Sequence, residues 1–376
     1  MRLVYCVQQT YKSGGVERVL TDKANWFAQR GYEVTILTTE QKGKEPFFPL
    51  DHRIRQIDLA INYWDNTKRS GFMKLFYYLK SPYLHKRKLK SLLYELKPDV
   101  VVSLYGHDMH HLPSLRDGSV KVLEYHFTHQ RIVNMFRQGF LWVWDYWNYL
   151  QQKRTIKKYE KFIVLTEMDK ESWGAGDYIE VIPNPLSSVP DSKSSLSSKT
   201  AIAVGRLVHE KGLDRLLDIW ERVYPVCPDW KLQIIGDGYL KDQLSQKVID
   251  KGLQGIVTIC SAKSDISEDY KNASMLLLTS RYEGLGMVLI EGQSYGLPCV
   301  SFDVPCGPSS IINDGIDGFL IPDANIDMFA NKVQMLAKDA DLRMQMGKNA
   351  MVNALRFEKN NIMTQWEKLF SELIRA

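Results

Sequence analysis

The chain has 376 residues, 44% hydrophobic and 25% charged, with 49 Lys and Arg against 44 Asp and Glu for a formal net charge of +5. That length suits two domains of ordinary size, each able to bury a full core. No apolar run approaches the ~20 residues that span a bilayer, which excludes an integral helical membrane protein, and the five cysteines, Cys6, Cys227, Cys260, Cys299 and Cys306, contain no CxxC pair, which points to reduced, structural thiols in the cytoplasm rather than a disulfide framework.

Apolar runs and helical patterns alternate from end to end, the signature of parallel sheets with crossover helices. Leu3–Val7 predicts the first strand and is too short and strand-like for a secretory leader. Gln8–Arg18 follows it, with the paired Gly14-Gly15 opening the helical pattern near Val16–Arg30. A glycine pair at a strand-to-helix turn lets backbone N–H groups face a ligand; a tight turn alone is the other reading. Further strands are expected near Val34–Thr38, Val100–Leu104, Val120–Tyr125 and Phe162–Leu165, with helices near Phe72–Leu96 and Arg131–Tyr159. His126 stands at the end of the strand Val120–Tyr125, a position that faces the cleft in an open α/β sheet; a packing histidine is the alternative. His107, Asp108, His110, His111 and His129 also fall in this half, but their spacing matches no standard ligand set and no metal is expected.

Charge is uneven along the chain. Up to Pro185 there are 28 Lys and Arg against 20 Asp and Glu, a net of +8, and the remainder carries 21 against 24, a net of −3. Two dense basic clusters, His85–Lys90 and Lys153–Lys158, flank an aromatic stretch from Phe140 to Tyr149. Basic residues beside Trp and Tyr suit an anionic membrane surface. Solvated helix faces around an aromatic core helix are the alternative. Nucleic acid is not expected, because no binding motif accompanies the charge.

Residues 184–200, rich in Pro and Ser, read as a linker between an N-terminal domain of residues 1–183 and a C-terminal domain of residues 201–359. The second half opens on a strand at Ala201–Val204, then Gly205-Arg206-Leu-Val-His209-Glu210-Lys211-Gly212. Arg offers a fork of donors and Lys a point charge, and together they suit a diphosphate whose negative charge grows as a bond breaks. Strands near Leu232–Ile235, Val257–Ile259 and Met275–Leu278 follow. After the last comes Thr279-Ser-Arg-Tyr-Glu283-Gly-Leu-Gly-Met-Val-Leu-Ile-Glu291-Gly-Gln-Ser-Tyr-Gly296-Leu-Pro298. One carboxylate sits in a strand-to-helix turn and a second about two helical turns on. Gly284 and Gly286 let backbone approach a ligand, and the helix N-terminus adds partial positive charge suited to phosphate. Such a layout fits a nucleotide-sugar: N–H groups for the diphosphate, carboxylates for sugar hydroxyls. Strands near Cys299–Phe302 and Phe319–Ile321 and the amphipathic Ile362–Ile374 complete the pattern.

Two glutamates eight positions apart, with EGxG in front and GxP behind, resemble the donor signature of the retaining family 4 glycosyltransferases. GGVER after the first strand and GRLxxxKG after Ala201–Val204 are similar to further patterns of that family. The resemblance implies the α/β GT-B architecture, two Rossmann-like domains facing a central cleft, with a final helix (residues 360–376) crossing back to the first domain. It implies catalytic roles for His126, Arg206, Lys211 and Glu283. It implies donor contacts from Gly14, Gly15, Arg206, Lys211, Glu283, Gly284, Leu285, Gly286, Met287, Val288 and Glu291, with Glu291 on the ribose. Two positions depart from the pattern: Cys260-Ser261-Ala262 stands where a glycine usually meets the base, and Gly292 where alanine is usual. The implied activity is transfer of a sugar from a nucleotide diphosphate, UDP first, to a hydroxyl of a glycan or polyprenyl-diphosphate-linked saccharide in surface polysaccharide synthesis. No cofactor is expected, and the enzyme is expected to be cytoplasmic, peripheral on the inner membrane face. A UDP-sugar isomerase and a non-catalytic sugar-nucleotide-binding protein are the rival readings.

Overall fold

A computed structural model describes residues 1–63, 71–134, 137–139, 141–263 and 265–375, with backbone alone at 72–79 and 134. Two parallel sheets form. The first contains β1 (Arg2–Val7), β2 (Glu33–Thr38), β3 (Arg55–Asp58), β4 (Val100–Ser103), β5 (Val120–Glu124), β6 (Lys161–Val164) and β7 (Ile179–Val181), in spatial order β3-β2-β1-β4-β5-β6-β7. The second contains β8 (Thr200–Val204), β9 (Lys231–Ile235), β10 (Val257–Cys260), β11 (Met275–Leu278), β12 (Cys299–Asp303) and β13 (Gly318–Pro322), in order β10-β9-β8-β11-β12-β13. Strands such as β4 and β11 are buried at every residue. Their continuous Val and Leu runs are what a parallel sheet covered on both faces requires.

Each sheet reverses its strand order once, between β1 and β4 and between β8 and β11. Open α/β sheets bind ligands beyond the C-terminal ends of the strands at such a reversal. The GGVER turn follows β1, GRL follows β8 and the EGLG turn follows β11, so the sequence motifs occupy the switch points of the two sheets.

The last helix, Lys359–Arg375, returns to the first sheet, as the GT-B expectation had it. Ile362, Met363, Trp366, Leu369 and Phe370 join the core of Leu3, Tyr5, Phe27 and Val102, and the Phe27 and Phe370 rings lie 5.6 Å apart. Two strands had no clear signal in the sequence. β3 (Arg-Gln-Ile-Asp) and β7 (three residues) are short edge strands, and β3 is largely exposed. They bury too little to show an apolar run. The single helix expected over Arg131–Tyr159 is instead two, His129–Asn134 and Leu141–Ile156. Gly139, at φ +73°, turns the chain ahead of the second; residues 135, 136 and 140, which the expected helix and aromatic stretch included, lie outside the described residues.

One basic cluster is also not what its sequence suggests. In the helix Gly71–Leu96, Lys86, Arg87 and Lys90 are exposed, but His85 is fully buried, its Nδ1 3.0 Å from the Tyr63 hydroxyl, and Lys88 donates to the Leu59 carbonyl at 2.6 Å. The helical period turns His85 and Leu89 inward while their neighbours stay in water.

Candidate active site

The second-domain half is assembled by close backbone approach. Lys211 ends a single 3-10 turn, His209–Lys211, and Gly212 follows at φ +60°. A Cβ on Gly212 would lie 2.0 Å from the Thr279 carbonyl oxygen, and the Thr279 hydroxyl donates to the Gly212 carbonyl at 3.0 Å. Only glycine allows the GRL loop to rest on the segment after β11. That contact delivers Lys211 Nζ to Glu283 Oε1 at 2.6 Å, and Ser280 donates to the same oxygen at 2.5 Å. Glu283 is 7% exposed. The two residues named separately from sequence are one ion pair. Arg206, in the same loop, is exposed, and its guanidinium makes no ion pair among the described residues.

The helix Met287–Ser294 begins at Gly286, φ +87°, with no side chain capping it and no acidic residue in its first turn. Its leading N–H groups, carried by Met287 and Val288 after the buried Leu285, have no intrahelical acceptor and attract an anion. Two turns on, half-buried Glu291 accepts from the buried Tyr270 hydroxyl at 3.0 Å, and the Tyr270 and Tyr295 rings stack at 5.1 Å. Burial pushes the Glu291 carboxyl above its usual range; the charge of Arg18, from the GGVER turn of the first domain, and the Tyr270 bond pull it back. Gly292 has a local reason too: a Cβ there would meet Leu276 Cδ1 at 2.7 Å, so glycine lets this helix settle close on β11.

In the first domain Gly14 precedes the helix Gly15–Gln29 in extended backbone, and Glu17 folds back over it, held by Gln9 at 3.0 Å. Gly15 is open to solvent. Arg18 donates to Ser187 in the linker at 3.1 Å and its charge reaches Glu291, which brings the first-domain turn to the donor helix.

His126 lies at the end of β5, but its ring is not an exposed cleft group. The side chain is 4% exposed, with Nε2 3.3 Å from Glu124 Oε1, and neither ring nitrogen makes a well-formed hydrogen bond. Burial lowers its pKa, favouring the neutral ring, while the Glu124 charge acts the other way. Behind it stands a buried ion pair that the motifs did not reveal. Lys23 donates to both oxygens of Glu124 at 2.7 and 2.6 Å, and its ammonium sits 3.4 Å from the centre of the Trp366 ring. Lys23 lies on the inward stripe of Val19, Leu20, Ala24 and Phe27. A lysine at a core position of an amphipathic helix was the available signal. Removing one partner of such a pair costs about 3–5 kcal/mol, since the other charge is left buried.

The halves meet at the EGLG turn. A Cβ on Gly284 would lie 2.7 Å from the His126 carbonyl oxygen and 3.6 Å from Phe127 Cα. A Cβ on Gly307 would meet Glu283 Cβ at 2.9 Å. The Pro305–Pro308 segment therefore backs Glu283, while His126 and Phe127 face it across the cleft. Among the described residues no group of three or more His, Cys, Asp or Glu side chains is placed to hold a metal ion.

Comparison with known proteins agrees with this geometry. Residues 13–187 match the model of Glycosyltransferase Family 4 and residues 189–352 that of Glycosyl transferases group 1. The chain is 28% identical to an uncharacterized glycosyltransferase of Haemophilus influenzae, over 97% of this chain and 99% of that one. It is 27% identical to the amylovoran biosynthesis glycosyltransferase AmsD of Erwinia amylovora, over 98% and 99%. In fold it is similar to TarM, with TM-score 0.82, 17% identity and 98% of each chain covered. Two parallel-sheet domains, each with its motifs at the switch point, are thus matched end to end, and the chain belongs to the GT-B glycosyltransferases that join a family 4 domain to a group 1 domain.

Proposed function

We propose that the chain is a retaining transferase that moves a sugar from a UDP-sugar to a hydroxyl of a glycan or lipid-linked saccharide in surface polysaccharide synthesis. The observation that carries this is the Lys211–Glu283 pair beside the uncapped Met287–Ser294 helix. Fixed positive charge and free N–H groups converge there on the space a diphosphate needs. Relatives support the donor and the pathway. The TarM of S. aureus and HepE of Anabaena were determined with UDP and with UDP-glucose, respectively, and AmsD is named for amylovoran biosynthesis.

In this reading the C1–O bond to the diphosphate breaks first, and the leaving UDP takes the bonding electrons. Lys211, oriented by Glu283, and the exposed Arg206 stabilise the charge as it grows. Glu291, aimed by Tyr270, holds the ribose. The acceptor oxygen attacks the face that the phosphate leaves, and its proton passes to a departing phosphate oxygen. Carboxylates flanking the turn are committed elsewhere, Glu283 to Lys211 and Ser280 and Glu124 to Lys23, which favours same-face attack over a covalent glycosyl-enzyme. Positive charge comes from the protein, so no metal or other cofactor is assigned. Incubation with UDP-sugars and lipid extract tests the reading: acceptor-dependent UDP release supports it. A new UDP-sugar would mean isomerisation, and binding without turnover a sensor.

The same reading places the enzyme on an anionic inner membrane surface. Among the described residues no helix is long and apolar enough to cross a membrane. Support for peripheral contact comes from the helix Leu141–Ile156, whose Trp142, Trp144 and Trp147 are each about half exposed, with Arg154 exposed in its last turn and Lys157 and Lys158 exposed just after it. Amphipathic aromatic rings beside basic side chains suit the headgroup layer.

A further inference from the structure

A cavity of about 380 Å³ opens in the first domain beside the donor turn, at the C-terminal ends of β4 and β5. Its walls include Tyr105, Tyr125, Phe127, Arg131, Tyr149 and Gln152. None of these belongs to the donor motifs. The size falls in the usual range of small-molecule sites, roughly 300–1,000 Å³.

Three features mark it as built for a ligand. Aromatic faces dominate: the Tyr105 and Tyr125 rings pack at 4.5 Å, and Phe127 remains 40% exposed in the wall. Such faces take the C–H side of a sugar ring, while the polar edges of Gln152 and the tyrosines can meet its hydroxyls. Tyr105 holds a left-handed backbone, φ +58°, which costs a residue with a side chain on the order of 1 kcal/mol and gathers at functional sites. Its hydroxyl is tied to Gln152 at 3.2 Å, fixing the ring in the wall.

Arg131 supplies the third. Its guanidinium lies over the Phe127 ring, 4.0 Å from the centre, and Asp145, the carboxylate in the same wall, is held by Arg137 at 2.7 Å. Stacking fixes the fork while its N–H edges stay free, the arrangement that recognises phosphate. The pocket also reaches the reacting centre. Phe127 abuts Gly284 of the donor turn. Burial raises the Tyr282 phenol and Glu210 adds to it, while Arg131 from the first domain and Arg206 from the second both pull it back. Charges from both domains thus act on the Tyr282 phenol.

We propose that this pocket is the acceptor subsite and that it selects a sugar bearing a phosphate, the ring against Phe127 and Tyr105 and the phosphate on Arg131. The inference rests on the transferase reading and adds to it the acceptor's chemical class. Because Arg131 is an open cation at the cleft, a neutral glycoside loses the contact that orients its hydroxyl toward the donor.

The test is calorimetric titration of UDP-saturated protein with the 1-phosphates and methyl glycosides of glucose, galactose and N-acetylglucosamine. We expect at least one sugar phosphate to bind about tenfold more tightly than its methyl glycoside. That preference should vanish in Arg131→Gln, persist in Lys211→Ala and return in part in Arg131→Lys. A prenyl-diphosphate-linked sugar and a glycerol-phosphate-linked sugar form two further arms, and the tighter of them shows whether the phosphate is lipid-borne or polymer-borne. No binding by any phosphate, equal binding in Arg131→Gln, or loss in Lys211→Ala alone would overturn the assignment. UDP binding is read in the same titration and decides the donor site separately. If it is absent, that reading fails, and the pocket is judged by the same series without UDP.

Discussion

Lys211 and Glu283 show how a motif's chemistry can be legible while its geometry is not. Both were named from the GRLxxxKG and EGLG spacings, yet nothing in either spacing says that they touch. The 2.6 Å contact depends on Gly212 lying against the Thr279 carbonyl, a contact between segments some 70 positions apart in sequence. Lys211 is thus held in place before substrate arrives, and its remaining donors are free for the diphosphate. An interaction that strengthens as charge develops shows in kcat rather than in binding. Lys211→Ala should therefore lower kcat on the order of 10²-fold or more, with a far smaller change in donor affinity; steady-state kinetics with a UDP-sugar measures both. A kcat within about threefold of wild type would remove Lys211 from this role. Lys23, Glu124 and Tyr270 lay outside the motifs because they act from behind: Lys23 holds Glu124, Glu124 lies against His126, and Tyr270 aims Glu291.

At the scale of elements, most long buried strands and helices were readable to within two or three residues, because burial writes continuous apolar runs and helical stripes. The edge strands β3 and β7 write neither. The helix Gly71–Leu96 illustrates the opposite difficulty: its basic run looks uniformly solvated, while period 3.6 sends His85 into the core. Burial lowers the His85 pKa to about 3, with the His111 and His107 charges adding to it, and lowers that of His111 to about 4. Both folded values are depressed below the ordinary ~6.5. Their neutral rings contribute stability that is present above pH ~6.5 and is lost as pH falls, because the unfolded chain takes up protons the folded one refuses. At the fully buried His85 this amounts to about 1.4 kcal/mol per pH unit in that window; at the partly exposed His111 solvent screening reduces it. Tyr63, His107 and His111 face the His85 ring. Urea unfolding of His85→Gln between pH 6 and 4.5 should show a dependence shallower than wild type by about that slope. Parallel curves would mean that His85 titrates normally.

For the whole molecule, what matters is how the two sheets bring their switch points together, and that was not legible residue by residue. The cross-domain contacts, Gly284 on the His126 carbonyl and Arg18 toward Glu291, join parts of the chain that no local pattern relates. Gly284→Ala should wedge the cleft, since its Cβ would lie 2.7 Å from a carbonyl oxygen of the other domain. Misplacement of this size can cost 10²-fold; we expect kcat to fall at least tenfold with an unchanged urea midpoint, and an unaltered kcat would show that the domains do not close there. Membrane docking belongs to the same scale. Lys86→Glu, Arg87→Glu and Lys90→Glu together spare the Lys88 contact to Leu59 and should release the protein from anionic vesicles, at about 1 kcal/mol per charge. Sedimentation that is equal with neutral and anionic lipid would contradict it. The most direct measurement of the central claim is an NMR time course of purified protein with a 13C-labelled UDP-sugar and a lipid-linked or phosphorylated saccharide acceptor. The account predicts UDP and a new glycosidic linkage appearing together, with the anomeric configuration of the donor kept. An inverted linkage, or consumption of the UDP-sugar with no bond to the acceptor, would contradict it.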